Sequence, residues 1–406
     1  MNPPITRSIL KKLKMDHMDI LNYLKNKSYS IPTLPKVMDA KNHSGECFSI
    51  AYSIQGILKY HGLTDWNQRI AYFPSISVNN TAVFTVSYLR FDGRLKTDKA
   101  YINSEELKDE KLRRIKNTLD MIRKYSRSTN KAILISRNFS SYNIKNSENK
   151  SYTSNIGKGL GTSASGSAAL ALAAISILYD NDPEYINNER LKSIFSRFLA
   201  GSGARSAVGG FGIWFNYPNI DPLDSFAIRL DKKQHQKFIN DIALITIPIM
   251  SDIETKSAHK IAPESPFFVS WLKNRKKQIY EFLDGLNDSN LHKIGDLAEF
   301  DTICLHSITM TGKPMNGKRL FAWDPRTLQI MKLVNNIENA YFSIDTGPSV
   351  VLLTKKRYKD EIIKEIRNTI PDLKILDGEI GGSSKILEPN SSEAKLLEED
   401  LDKCNI

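Results

Sequence analysis

The sequence predicts an α+β protein of two domains with a cleft between them. Three observations carry that expectation. The chain has 406 residues, enough for two or three domains of roughly 100–200 residues each. Strand-like and helical segments occur in both halves. After Pro222 the pattern changes, which places a boundary near residues 220–235. The resulting division is an N-terminal extension over 1–40, a first domain over 41–228 and a second over 229–406.

In the extension, Ile20, Leu21 and Leu24 form one face of a short helix, ended by Pro32 and Pro35. From Cys47 to Leu58 the chain is apolar and short-stepped. From Ala82 to Leu89 it alternates as a strand, with Val83, Thr85 and Ser87 against Phe84, Val86 and Tyr88. Lys108 to Lys124 reads as a charged helix and Ala132 to Ser136 as another strand. Residues 139–155 are Ser/Asn/Lys-rich and read as loop. A glycine-rich turn and an alanine-rich helix, Ala164 to Tyr179, come next. A second glycine-rich stretch spans Gly201 to Gly212. In the second domain, Ile242 to Ile249 is a strongly apolar strand, and two charged helical segments lie near 266–285 and 289–312. Tyr341 to Leu353 reads as a strand interrupted by Gly347 and Pro348. The tail from Ser391 is acidic and polar.

Composition removes several classes. With 41% hydrophobic and 25% charged residues the chain is not disordered, collagenous or of low complexity. No apolar run approaches the roughly 18 residues of a membrane span, and the N-terminus lacks the apolar stretch of a secretory signal. Three distant cysteines, Cys47, Cys304 and Cys404, argue against a disulfide framework and for a reducing cytoplasm. The histidines are dispersed, with no spacing for a transition-metal site. The net charge of +12 suits a polyanionic partner or a lysine-rich solvated surface. No RNA-binding aromatic signature or zinc-finger spacing accompanies it.

Three turns carry the chemistry. The first, residues 154–168, runs S-N-I-G-K-G-L-G-T-S-A-S-G-S-A. Its glycines admit close approach of a ligand, and the adjoining helix offers unpaired N–H groups and a positive dipole end. Thr162 and Ser163 add hydroxyls and Lys158 a full charge, which makes an anion site, most naturally for phosphate. The alternative is a flexible loop before a core helix. A Walker A loop fails, because Gly159 follows Lys158 and Tyr152 stands at the first glycine position. Gly159 to Ala164 fits G-x-G-x-x-A, but no buried strand precedes it, as a dinucleotide fingerprint requires. The second turn, residues 200–214, holds Arg205 among small residues, with Ser202 and Ser206 beside it. That guanidinium suits bidentate capture of a carboxylate or phosphate, or else pairs with an acid at a domain seam. The third, residues 342–352, places Asp345 at a strand end before a Gly-Pro turn. It is an active carboxylate or a turn cap. D-T-G also resembles an aspartic protease loop, but only one copy is present. Together, a phosphate-type loop, an arginine and an aspartate fit phosphoryl transfer or phosphate elimination best.

The motifs also carry a family resemblance. Gly159 to Leu170 resembles the G-L-A-S-S-A-x-G-x-A-A-L motif of the diphosphomevalonate decarboxylase family, within the GHMP kinase superfamily. Gly201 to Phe211 resembles its G-S-x-x-A-C-R-S-x-x-G-G-F segment, and Ile344 to Ser349 its F-D-A-G-P-N. Ala51 to Asp65 resembles A-x-x-N-I-A-x-I-K-Y-W-G-K-x-D. Phe73 to Val78 and Asp301 to His306 are similar to L-P-x-N-S-S-I-S and D-A-L-E-M-H. The matches keep the family's order over about residues 45–390.

The resemblance implies a GHMP kinase-type two-domain fold with a central cleft, commonly a homodimer, and a small-molecule phosphorylated mevalonate substrate. Arg205 would hold the substrate carboxylate, with Ser202 beside it. Lys59 and Tyr60 would contact phosphate or carboxylate, Asp345 would be the catalytic carboxylate, and Thr162 and Ser163 would lie in the phosphate loop with Lys158. The departures are Asn155 for the proline opening that loop, Lys158 for an alanine, and Leu63 for the lysine after K-Y-W-G. The segment with a lysine pair is shortened around Thr255 to Lys260. These departures look most like the ATP-independent bisphosphomevalonate decarboxylases of thermoacidophilic archaea. The expected reaction converts mevalonate 3,5-bisphosphate to isopentenyl phosphate, carbon dioxide and phosphate, with no cofactor or metal. The rivals are an ATP- and Mg²⁺-dependent phospho- or diphosphomevalonate decarboxylase, a mevalonate 3-kinase and, distantly, a basic nucleic-acid-binding protein.

Overall fold

The computed structural model describes residues 5–40, 42–140, 160–251 and 254–404. Two long antiparallel strands, Gly45–Leu58 and Ser75–Asp92, form the centre of an eight-stranded sheet. Their β-branched and aromatic residues suit a pleated surface buried on both faces. The register slips between Tyr52 and Ser53, where Tyr52 pairs with Phe84 but Ser53 pairs with Asn80. A bulge of this kind bends the sheet and re-aims the rest of the strand. Beyond it, Ser53 to Leu58 runs on to Lys59.

The second, four-stranded sheet docks at that bulge. Asn80 Nδ2 donates to Thr246 Oγ1 at 2.8 Å, and the Glu379 N–H donates to Thr81 Oγ1 at 2.8 Å. The sheet runs Tyr341–Ser343, Val350–Lys355, Ile242–Ile247, Leu376–Glu379, all antiparallel. The segment expected as one interrupted strand is therefore a hairpin. Tyr341 faces Leu353, and residues 344–349 make the turn that carries Asp345.

The helix Thr162–Leu178 is buried along nearly its whole length. Its alanines and serines let it lie close on the first sheet, where Ser49 Oγ donates to the Ala169 carbonyl at 2.8 Å. An all-round apolar helix belongs in a core. Helices Phe268–Asn287 and Leu291–Thr311 pack on each other, and the second also lies against the strands Tyr341–Ser343 and Gly45–Leu58.

The N-terminal helix Arg7–Asn26 buries Leu13, Ile20 and Leu24, and Asp16 pairs with Lys276 at 2.9 Å. At the other end the chain leaves the second sheet. Lys385–Leu387 pairs along Phe48 to Ile50 and covers the edge of the first sheet. Leu397 of the tail packs with Phe84, Val86 and Ile133. Among the described residues, no helix is long and apolar enough to cross a membrane.

Candidate active site

Asp345 projects from its hairpin turn toward the end of the strand Gly45–Leu58. Its Oδ1 accepts the Gly56 N–H at 3.3 Å. A Cβ at residue 56 would lie 2.7 Å from Asp345 Oδ1 and 2.6 Å from Lys59 Cγ, so only glycine admits both side chains. Burial pushes the Asp345 carboxyl above its usual range, and the charges of Lys59 and Arg205 oppose that shift.

Lys59 is buried, and its Nζ donates to Thr302 Oγ1 at 3.0 Å and Ser343 Oγ at 2.9 Å. Both hydroxyls spend their own protons elsewhere, Thr302 on the Ala298 carbonyl and Ser343 on the Gly56 carbonyl. They therefore present lone pairs to the ammonium. Burial pushes Lys59 below its ordinary value, against the pull of Asp301 and Asp345. Its main chain is held as firmly. The Lys59 N–H donates to Asp301 Oδ2 at 2.6 Å, and its carbonyl accepts Arg275 Nη2 at 2.7 Å. Asp301 and Arg275 form a fully buried ion pair that also takes the Trp271 indole N–H.

Arg205 lies on the short helix Gly203–Val208 and is 2% exposed. It donates to Ser75 Oγ and lies 5.4 Å from the Tyr60 ring centroid. Its Nε has no partner, and burial pulls it down to about 10. Tyr60 meets Trp214 edge-on at 5.2 Å and stacks on His259 at 4.8 Å. Its hydroxyl bonds with Ser202, and burial raises the phenol. His259 Nδ1 accepts the Gly62 N–H at 3.2 Å, and burial holds the imidazole down to about 4.

Thr162 and Ser163 open their helix, Thr162 partly covered and Ser163 exposed. Gly161 caps it at φ 68°, and a Cβ there would stand 2.5 Å from the Ile54 carbonyl. The helix N-terminus is thus seated on the strand two residues before Gly56. Lys158 lies outside the described residues.

Asp345, Lys59, Arg205, Tyr60 and Ser202 therefore line one cleft, with Thr162 and Ser163 at its first-domain edge. Sequence reasoning did not single out Thr302, Ser343, Ser75, Arg275 or His259. Ser75 and Thr302 fall within recognised motifs. Arg275 sits in a run of solvent-type charges, K-N-R-K-K, and only its burial sets it apart. A further contact left no trace in the sequence. The Gly210 N–H donates to the Gly381 carbonyl at 2.8 Å, tying the Arg205 turn to the segment that leaves the second sheet.

Two α+β domains around such a cleft define a GHMP kinase-type fold. Its structural neighbours include mevalonate diphosphate decarboxylase from Staphylococcus aureus, with a TM-score of 0.73, 23% identity and coverage of 85% of this chain and 98% of that one. The Enterococcus faecalis enzyme gives 0.72 at 23% identity, covering 85% and 99%. Residues 51–227 match the diphosphomevalonate decarboxylase-like N-terminal domain. A phosphomevalonate decarboxylase from Haloferax volcanii is 28% identical over 84% of this chain and 98% of its own length. A mevalonate 3,5-bisphosphate decarboxylase from Thermoplasma acidophilum is 29% identical over 87% and 80%. Residues 51–227 thus carry a diphosphomevalonate decarboxylase-like N-terminal domain, and over most of its length the chain is similar to mevalonate-pathway decarboxylases.

Proposed function

We propose that the protein decarboxylates mevalonate 3,5-bisphosphate to isopentenyl phosphate, carbon dioxide and inorganic phosphate, without ATP. The observation that carries the reading is the Asp345 carboxylate, set between the cations Lys59 and Arg205, with the second nearby carboxylate, Asp301, already paired with Arg275. Arg205 orients the substrate carboxylate. The C3–O bond breaks, and phosphate departs with the electron pair. Positive charge builds at C3, where Asp345 stabilises it. The C1–C2 bonding pair becomes the C2=C3 double bond as carbon dioxide leaves, so no water or oxidant is needed. No hydroxyl proton remains to be removed, so Asp345 acts electrostatically, in a site where a fixed charge has its largest effect. Lys59, held by Thr302 and Ser343, keeps Asp345 ionised against its burial. The first turn of the helix Thr162–Leu178 faces the departing phosphate.

The altered glycine loop, with Asn155 and Lys158, supports independence from ATP, as does the likeness to the Thermoplasma proteins. The near-complete coverage of the Haloferax relative favours a second reading, a phosphomevalonate decarboxylase. Incubating purified protein with each substrate, with and without ATP and Mg²⁺, separates the two. Carbon dioxide and phosphate released from the bisphosphate without ATP is the expected result. Release only from mevalonate 5-phosphate with ATP overturns it.

A further inference from the structure

The strand Tyr341–Ser343 lies at the edge of its sheet, so its outward N–H groups have no strand to pair with. Side chains of the helix Leu291–Thr311 take them instead. Glu299 Oε1 accepts the Phe342 N–H at 3.0 Å, and Thr302 Oγ1 accepts the Ile344 N–H at 3.1 Å. The second contact falls on the residue just before Asp345. The same Thr302 oxygen accepts Lys59 Nζ at 3.0 Å. Both of those partners can only donate, so the hydroxyl proton goes to the Ala298 carbonyl, 2.7 Å away. Thr302 is fully buried, and its donor and both lone pairs are used.

Ser343 is filled in the same way. It accepts Lys59 Nζ at 2.9 Å and Gln55 Nε2 at 3.0 Å, and it donates to the Gly56 carbonyl at 2.6 Å. The Lys59 ammonium is thus bonded to two neutral oxygens. Among the described residues, no ion pair within 4.0 Å joins Asp345 to Lys59 or Arg205, and the buried pair nearby is Arg275–Asp301. Opposite charges in a dry site attract strongly, so the hydroxyls hold the lysine back. The motif that Asp301 to His306 resembles, D-A-L-E-M-H, has alanine where this chain has Thr302.

We propose that Thr302 is a positioning residue for the reaction: by joining the Lys59 ammonium to the backbone beside Asp345, it keeps the cation near the carboxylate but out of contact with it. The carboxylate is then left to face the positive charge that develops at C3. The role in turnover rests on the proposed decarboxylation, and the spacing of the two charges does not.

Thr302→Val, which keeps the shape and removes the oxygen, tests it beside Thr302→Ser. In a crystal structure of Thr302→Val, Lys59 should turn onto Asp345, with N···O at about 2.7–2.9 Å. Turnover of the bisphosphate should fall about 10- to 100-fold in kcat, less than the about 10²–10³-fold for losing the stabiliser outright, with KM within about threefold. Contact favours the charged form of both groups. The acid limb of the pH–rate profile should therefore move down and the alkaline limb up, whereas a merely loosened fold has no reason to widen it. The other groups around the pair, Asp301, Arg275, Arg205 and His306, are the same in wild type and variant. Thr302→Ser should restore most of the turnover and the narrower profile. Ser343→Ala removes the other acceptor and should act in the same direction, which decides the matter should Thr302→Val fail to fold. The proposal is overturned by a lysine that stays in place in the variants, by a Thr302→Ser enzyme as slow as Thr302→Val, or by a closed pair with turnover within about threefold of wild type. A pair that closes in Thr302→Val, in a protein whose wild type releases no carbon dioxide from the bisphosphate, keeps the spacing role and loses the decarboxylase reading.

Discussion

The tightest steric point in the site is Gly56, and Gly56→Ala tests whether the Asp345–Lys59 geometry matters for turnover. The added Cβ would stand 2.7 Å from Asp345 Oδ1 and 2.6 Å from Lys59 Cγ. Non-bonded carbon contacts settle at about 3.5–4.0 Å, so the carboxylate and the lysine stem must each retreat by on the order of 1 Å. Misplacement on that scale costs about 10²-fold in rate. The overpacking itself costs about 1–3 kcal/mol of stability. Bisphosphate turnover should therefore fall about 10²-fold in kcat, with KM changed by less than about fivefold, because the moved groups act on charge that develops during reaction. Steady-state phosphate release measures both, with circular dichroism to verify folding. The double variant with Asp345→Asn should be no slower than Asp345→Asn alone, since both act through one carboxylate. A Gly56→Ala enzyme within about threefold of wild type, or full additivity with Asp345→Asn, would refute the reasoning.

Three further outcomes are expected. Asp345→Asn should lower kcat by about 10²–10³-fold, the scale of a lost electrostatic stabiliser, and mevalonate 5-phosphate should still bind in a titration. The pH–rate profile should be narrowed from both sides. Burial raises Asp345, so the acid limb should lie above the ordinary aspartate value of about 3.9, and it lowers Lys59, so the alkaline limb should lie below about 10.4. A profile flat across both limits contradicts these assignments. Stability should fall in mild acid, because His17 and His259 are buried neutral and held down to about 4. Such groups stabilise fully above the unfolded value of about 6.5 and progressively less as pH falls toward 4, so each should contribute a loss of about 2 kcal/mol between pH 7.5 and 5. Urea denaturation at the two pH values reads this, and His17→Phe should remove about 2 kcal/mol of the loss, its own share, leaving that of His259 and of the other buried histidines, His61 and His306.

The amino-acid order alone determined whatever depends on near neighbours. The run of alanine and serine from Ala164 specifies a core helix, and Gly161 before it marks a turn with left-handed backbone. The alternation over Ala82 to Leu89 specifies a strand. Glycine-rich surroundings singled out Arg205 and Asp345 as charges in special backbone. Tertiary structure decided which of these meet and what holds them. Lys59 rests on Thr302 and Ser343, more than two hundred residues away, and its main chain is gripped by Asp301 and Arg275. Nothing periodic in Lys273 to Lys277 separates the buried arginine from its exposed neighbours. The tail from Ser391 is acidic and polar in sequence, yet Leu397 reaches the first sheet. Periodicity and turn chemistry are local and leave a trace in sequence. Burial and charge pairing are properties of where distant segments close on one another.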